Sequence, residues 1–264
     1  MKSWKRKLLW GVVGIVSATA IAWGVIAWVS RPTTNYQEKN QTAAALPFGP
    51  GERAVYTIRL LGLPLGECTF EVLPRGTNGT WHFQMSARTK VYTVRYDARS
   101  AVNAELTDSI TYTTDQQDRS SRKVRLDFDT PARTVSRSLN DGEPTKLAIP
   151  SGTVDYLAML YRLRLEKLAN EPKVAWAVTD GKSSYQPRLN SVEREVITIG
   201  EKQYPAIRVE PDLGELRGVF NKSPDAKVQI WFSDDTRQVP LRIRTKIYIG
   251  SFIANLKDYR PPTR

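Results

Sequence analysis

Two apolar patterns divide this chain. Leu8 to Val29 is 22 residues without a charge, and its only polar side chains are Ser17 and Thr19. From Glu52 onward the dominant period is two. Ala54, Tyr56, Ile58 and Leu60 alternate with Val55, Thr57 and Arg59. After a Gly62–Gly66 turn, Cys68, Phe70 and Val72 alternate with Glu67, Thr69 and Glu71. After Gly76-Thr77-Asn78-Gly79 come Trp81, Phe83, Met85 and Ala87 on one face, with His82, Gln84, Ser86 and Arg88 on the other. Such alternation between Gly-rich turns predicts an antiparallel meander with one buried face. Further strands are expected at 91–98, 109–114, 123–128, 134–138, 174–179, 192–199, 204–210, 227–232, 241–247 and 252–256.

One segment has the helical period instead. Thr153 to Ala169 places Val154, Leu157, Ala158, Tyr161, Leu165 and Leu168 on one side, and Leu160 and Leu163 widen it. Ser151 or Thr153 is expected to cap it, with Asp155 in its first turn and Lys167 in its last. So broad an apolar face needs more than one neighbour. The expected fold is therefore all-β with one added helix. A single N-terminal transmembrane helix precedes a curved antiparallel sheet, a half-barrel or β-roll, that packs a helix near 153–169.

A helix over Leu8–Val29 spans roughly 33 Å, enough for a hydrocarbon core of about 30 Å. Lys2, Lys5, Arg6 and Lys7 precede it and Arg31 alone follows closely, so the positive-inside rule keeps the N-terminus cytoplasmic. Trp4, Trp10, Trp23 and Trp28 suit the two interfaces. The predicted layout is a cytoplasmic tip (1–7), an inner-membrane anchor (8–29), a polar tether (30–47), a periplasmic β domain (48–260) and a short tail (261–264). A cleaved signal peptide is the alternative, since Ala18-Thr19-Ala20 has a small-x-small pattern; it would leave the apolar residues Ile21–Val29 as a new terminus.

Charge adds a partner. The chain carries 39 Lys and Arg against 27 Asp and Glu; without the four N-terminal cations, 35 remain against 27. Beside a membrane this excess favours anionic lipid or lipopolysaccharide phosphates, and the compartment excludes nucleic acid. Cys68 is the single cysteine and shares a strand face with Phe70 and Val72, as a small buried hydrophobe would. His82 is the single histidine, on a polar face. With one of each, a closed four-ligand zinc site from His and Cys is excluded, no nucleophile motif surrounds any Ser or Cys, and no cofactor is expected. Asp234-Asp235 is the best carboxylate pair, a weak metal candidate; between two strong strands these residues suit turn chemistry, with Arg237 pairing an aspartate. The candidate ligand site is cationic. Arg242, Arg244 and Lys246 share one face of the 241–247 strand, with Arg237 in the preceding turn.

Several positions resemble a bacterial envelope family, domain of unknown function 3108. They are Gly51-Glu52 with Tyr56, the Gly62–Gly66 turn, Tyr96-Asp97, Asp155-Tyr156 with Leu163-Arg164, and Val228 to Ile243 (VQIWFSDDTRQVPLRI) followed by Gly250 and Leu256. The resemblance covers roughly 48–259 and implies a curved antiparallel sheet in an extracytoplasmic protein with no established reaction. The expected function is non-enzymatic: a membrane-anchored envelope protein that binds lipid or lipopolysaccharide-like amphiphiles or supports envelope assembly. The alternatives are a scaffold pairing an edge strand with another envelope protein, and an enzyme acting on wall glycan.

Overall fold

The computed structural model describes residues 46–90, 94–118, 120–170, 174–211, 227–247 and 250–263. The expected anchor, its cleavage site, nearly all of the expected tether, the first residues of the 91–98 strand and residues 212–226 lie outside them. Among the described residues no helix is long and apolar enough to cross a membrane.

The chain runs through two meanders separated by an insert. The first is β1 (Arg53–Leu60), β2 (Leu63–Val72), β3 (Trp81–Thr89), β4 (Arg95–Val102), β5 (Ser109–Gln117), β6 (Ser121–Asp129), β7 (Thr134–Leu139) and β8 (Thr145–Ala148). The insert holds β9 (Thr153–Val154), helix α1 (Tyr156–Leu163), a 3-10 turn (Leu168–Asn170), β10 (Ala177–Thr179) and β11 (Ser184–Tyr185). The second meander is β12 (Leu189–Ile199), β13 (Lys202–Pro211), β14 (Lys227–Ser233), β15 (Pro240–Ile247) and β16 (Gly250–Arg260). β16 then pairs with β1, so the chain ends beside where the sheet began. The result is one 13-stranded sheet, β12-β13-β14-β15-β16-β1-β2-β3-β4-β5-β6-β7-β8, whose described pairs are all antiparallel. It is not closed into a barrel: β12 and β8 each have one neighbour.

Period two works as expected. Trp81, Phe83, Met85 and Ala87 are buried along β3, and Tyr96, Ala98, Ser100 and Val102 along β4. The register shift between Val55 and Tyr56 lets consecutive β1 residues be buried, as a bulge does. These side chains form one cluster with the insert, in which the Tyr161 ring stacks on Phe83 at 4.0 Å and Phe48 meets both edge-on.

The helix is shorter than its sequence pattern. Thr153 and Val154 pair with β10 instead of coiling. Asp155, expected inside the first turn, is extended and caps α1; its carboxylate accepts from Leu157 N and Ala158 N, and from the Ser100 and Ser109 hydroxyls at 2.6 Å. At the other end the Gln238 side chain takes over the backbone. It donates to the Arg164 and Glu166 carbonyls and accepts from Leu168 N. Carbonyls bonded sideways no longer propagate the helix. Seven of its eight residues are buried, because the sheet lies on one side and the small sheet β11-β10-β9 on another. The strand expected at 174–179 is reduced to Ala177–Thr179 for the same reason: it belongs to that small sheet, and Val174 and Trp176 pack into the core as loop residues.

Candidate functional site

β15 places its cations as period two requires. Thr245 and Ile243 are buried, while Arg244 and Lys246 are exposed and Arg242 is half-buried. Residues directly opposite in an antiparallel pair share a face. On that rule Arg244 stands beside Ile253 of β16 and then Arg59 of β1, which is exposed. Lys246 stands beside Ser251. The outer-face positions directly flanking these cations, Thr57 of β1 and Ser251 and Ile253 of β16, carry no charge. The cationic patch is therefore Arg59, Arg244 and Lys246. Arg242 is committed elsewhere: its Nε donates to Asn255 Oδ1 at 2.7 Å, another nitrogen donates to Thr198 O at 2.6 Å, and its guanidinium lies over the Trp231 ring.

The patch sits at one end of the sheet. There the β1–β2 turn exposes Leu61 (66%) and Leu63 (69%), and Leu61 adopts a left-handed backbone at φ 51°. Leu61 N bonds Ser251 O, tying this turn to the row that carries Lys246. Arg59 was legible in the alternation Val55, Thr57, Arg59; its proximity to Arg244 was not, because only the β16–β1 pairing creates it.

Arg237 lies at the opposite end. It belongs to the β14–β15 turn, about 20 Å along the strand from Lys246. Asp235 organises that turn: its Oδ1 accepts from Ser233 Oγ, Arg237 N and Gln238 N, and its Oδ2 lies 3.5 Å from the Arg237 guanidinium. Burial pushes the Asp235 carboxyl up, but these bonds outweigh it and hold it below the usual range. Asp234 instead accepts from Arg194 at 3.1 Å. Among the described residues no three His, Cys, Asp or Glu side chains converge. Cys68 is buried, which drives its thiol pKa far up, and half-buried His82 lies opposite Ala101.

The turn also joins a buried clasp. Arg164, just past α1, donates to both Glu52 oxygens at 2.5 and 3.1 Å, to Pro47 O at 2.9 Å and to Arg237 O at 3.1 Å. Tyr259 OH donates to the same Glu52, and the two charged side chains are 2% and 4% exposed. Burial disfavours the Arg164 cation, but Glu52 more than compensates and raises its pKa. This fork-to-fork pair links the end of α1, the start of β1, β16, Pro47 and the β14–β15 turn.

No curated protein matches the sequence. Solved structures match the chain at low identity, and one of them shares its fold. The β-barrel-like protein of domain of unknown function DUF1849 from Brucella abortus is 10% identical, with a TM-score of 0.55 over 83% of this chain and 100% of that one. A putative lipoprotein from Parabacteroides distasonis is 8% identical, with a TM-score of 0.37 over 83% and 100%. The Mycobacterium tuberculosis lipoprotein LppX is 11% identical, with a TM-score of 0.26 over 82% and 90%. The family of proteins of unknown function DUF3108 matches residues 55–257, the span that holds both meanders, the insert and the cationic patch, and the chain belongs to it.

Proposed function

We propose that this chain is a non-enzymatic cell-envelope protein, anchored in the inner membrane by Leu8–Val29, that lays the outer face of a periplasmic half-barrel against anionic lipid or lipopolysaccharide phosphates. The observation that carries this reading is the patch of Arg59, Arg244 and Lys246 beside the exposed Leu61 and Leu63. Cations next to projecting leucines match a surface that is charged outside and apolar just beneath. The half-barrel shape is favoured by the insert, whose 3-10 turn touches β12 and β13 while α1 touches β3 and β4. Because the insert fills the face an acyl chain would need, lipid contact falls to the outer face. Asp234 and Asp235, the carboxylate pair the sequence offers to a glycan-cleaving enzyme, are both engaged with neighbouring groups.

Native mass spectrometry of the full chain released from neutral detergent tests this. Phosphatidylglycerol adducts should exceed phosphatidylcholine adducts. Each cation near an anionic surface contributes about 1 kcal/mol, so replacing Arg59, Arg244 and Lys246 by Gln should weaken the preference by roughly two decades. Equal adducts in the wild type and the triple variant would remove the proposal.

A second reading has its own observation. β12 is an eleven-residue edge strand with Val196 62% exposed, open to pairing with a strand of another envelope protein. A partner retained through mild extraction and lost when Val196→Pro breaks that edge would favour it.

A further inference from the structure

The inner face of the sheet is apolar across β1 to β3 and turns polar towards β7. Register sets the rows Tyr96–Gln116–Arg122 and Tyr112–Leu126–Arg137 on the same face, on either side of Thr114 and Val124. With Tyr156 of α1 and the 180–182 turn they line a crevice of about 40 Å³. A single water needs roughly 10–15 Å³ on this measure, so the space suits a small polyatomic ion and not a chain.

Its charges do not balance. Arg122, Arg137 and Lys182 line it with one carboxylate, Asp180. That carboxylate already accepts from Lys182 N at 2.7 Å and Ser183 N at 2.9 Å. Arg137 is 9% exposed, and among the described residues no hydrogen bond or ion pair holds its guanidinium. Burial and the adjacent Arg122 pull the Arg137 pKa down, with Asp180 only partly opposing them. A partly desolvated cation with so little counter-charge is costly to keep.

The crevice is also built. Gly181 N bonds Thr179 Oγ1, whose hydroxyl donates to Ser183 O, and this locks the turn. At φ 77° a Cβ on Gly181 would stand 2.5 Å from Leu126 Cδ2 and 2.8 Å from Arg137 Cβ. Only glycine lets the turn press on the arginine's stem and hold it against the crevice wall.

We infer that this crevice binds a phosphate group, gripped by Arg122 and Arg137 with Lys182 at its mouth. Guanidinium forks match the oxygens of a phosphate, and the anion supplies the charge the protein omits. The site is independent of the outer-face patch. The phosphate is either free or the head of a phosphomonoester lipid.

Calorimetric titration of the full chain in neutral detergent distinguishes these. Inorganic phosphate should bind saturably, with the dissociation constant raised at least about tenfold by Arg122→Gln and by Arg137→Met. Lys146→Gln, which removes an exposed cation from β8, should leave it unchanged. Arg122 is only half-buried, so Arg122→Gln tests the site even if Arg137→Met fails to fold. No saturation with inorganic phosphate, but Arg122-dependent binding of phosphatidic-acid micelles, assigns the group to a lipid head. Silence with both probes, or binding that survives Arg122→Gln, overturns the site.

Discussion

Arg164 follows the last residue of α1 and Arg137 lines the crevice with Tyr156, its first; both are buried, yet the protein treats them oppositely. Arg164 meets the Glu52 carboxylate, which also accepts from Tyr259, and two carbonyls, so its charge is matched within the fold. Arg137 lies beside another arginine and keeps its guanidinium unbonded among the described residues. The same residue type therefore marks a structural tie in one place and an open valence in the other. What separates them is whether the chain brings a full counter-charge, and the one that receives it, Arg164, is also the more deeply buried.

Removing the Arg164 counter-charge should have the largest effect. Glu52→Gln leaves a buried cation uncompensated and should destabilise the protein by about 3–5 kcal/mol, read as a lower urea midpoint at unchanged slope. A loss below about 1 kcal/mol would mean the clasp holds little. Arg137→Met should behave oppositely: with no ion pair to break, stability should be unchanged or rise by about 1 kcal/mol. A loss as large as that of Glu52→Gln would erase the contrast. The smallest effect belongs to an outward-facing set, Asp97 between Arg88 and Arg95. Burial raises the Asp97 carboxyl, but the bonds from Arg95 and Arg88 prevail and hold it below its ordinary value. Its contribution is therefore present above the unfolded pKa of about 3.9 and lost as pH falls through the folded one. Asp97→Asn should cost under about 1 kcal/mol at neutral pH, and the melting temperatures of variant and wild type should converge below about pH 4.

Much of this was legible one strand at a time. Alternation located β1 to β3 and the exposed side of β15, since neighbouring side chains point to opposite faces whatever lies across the sheet. It also carried an unread signal: Arg122 shares a face with Val124 and Leu126, and Arg137 with Val135, so cations recur on apolar faces. The helical period over 153–169 was right in kind and too long in extent. The β9–β10 pairing and the Gln238 side chain end α1 at both sides, and those partners lie far along the chain. Arg237 was grouped with the stripe by sequence proximity, while the strand's length carries it to the other end.

By itself the sequence determined a membrane-length apolar run, the alternating faces of most strands, and a chain of one histidine and one cysteine. Only the tertiary structure decided that β16 lies beside β1, which sets Arg59 across Ile253 from Arg244, and which buried arginine receives a carboxylate. The physical reason is range. Side-chain direction in a strand is fixed by the local backbone, whereas charge compensation depends on which distant groups close over a cation and exclude water from it.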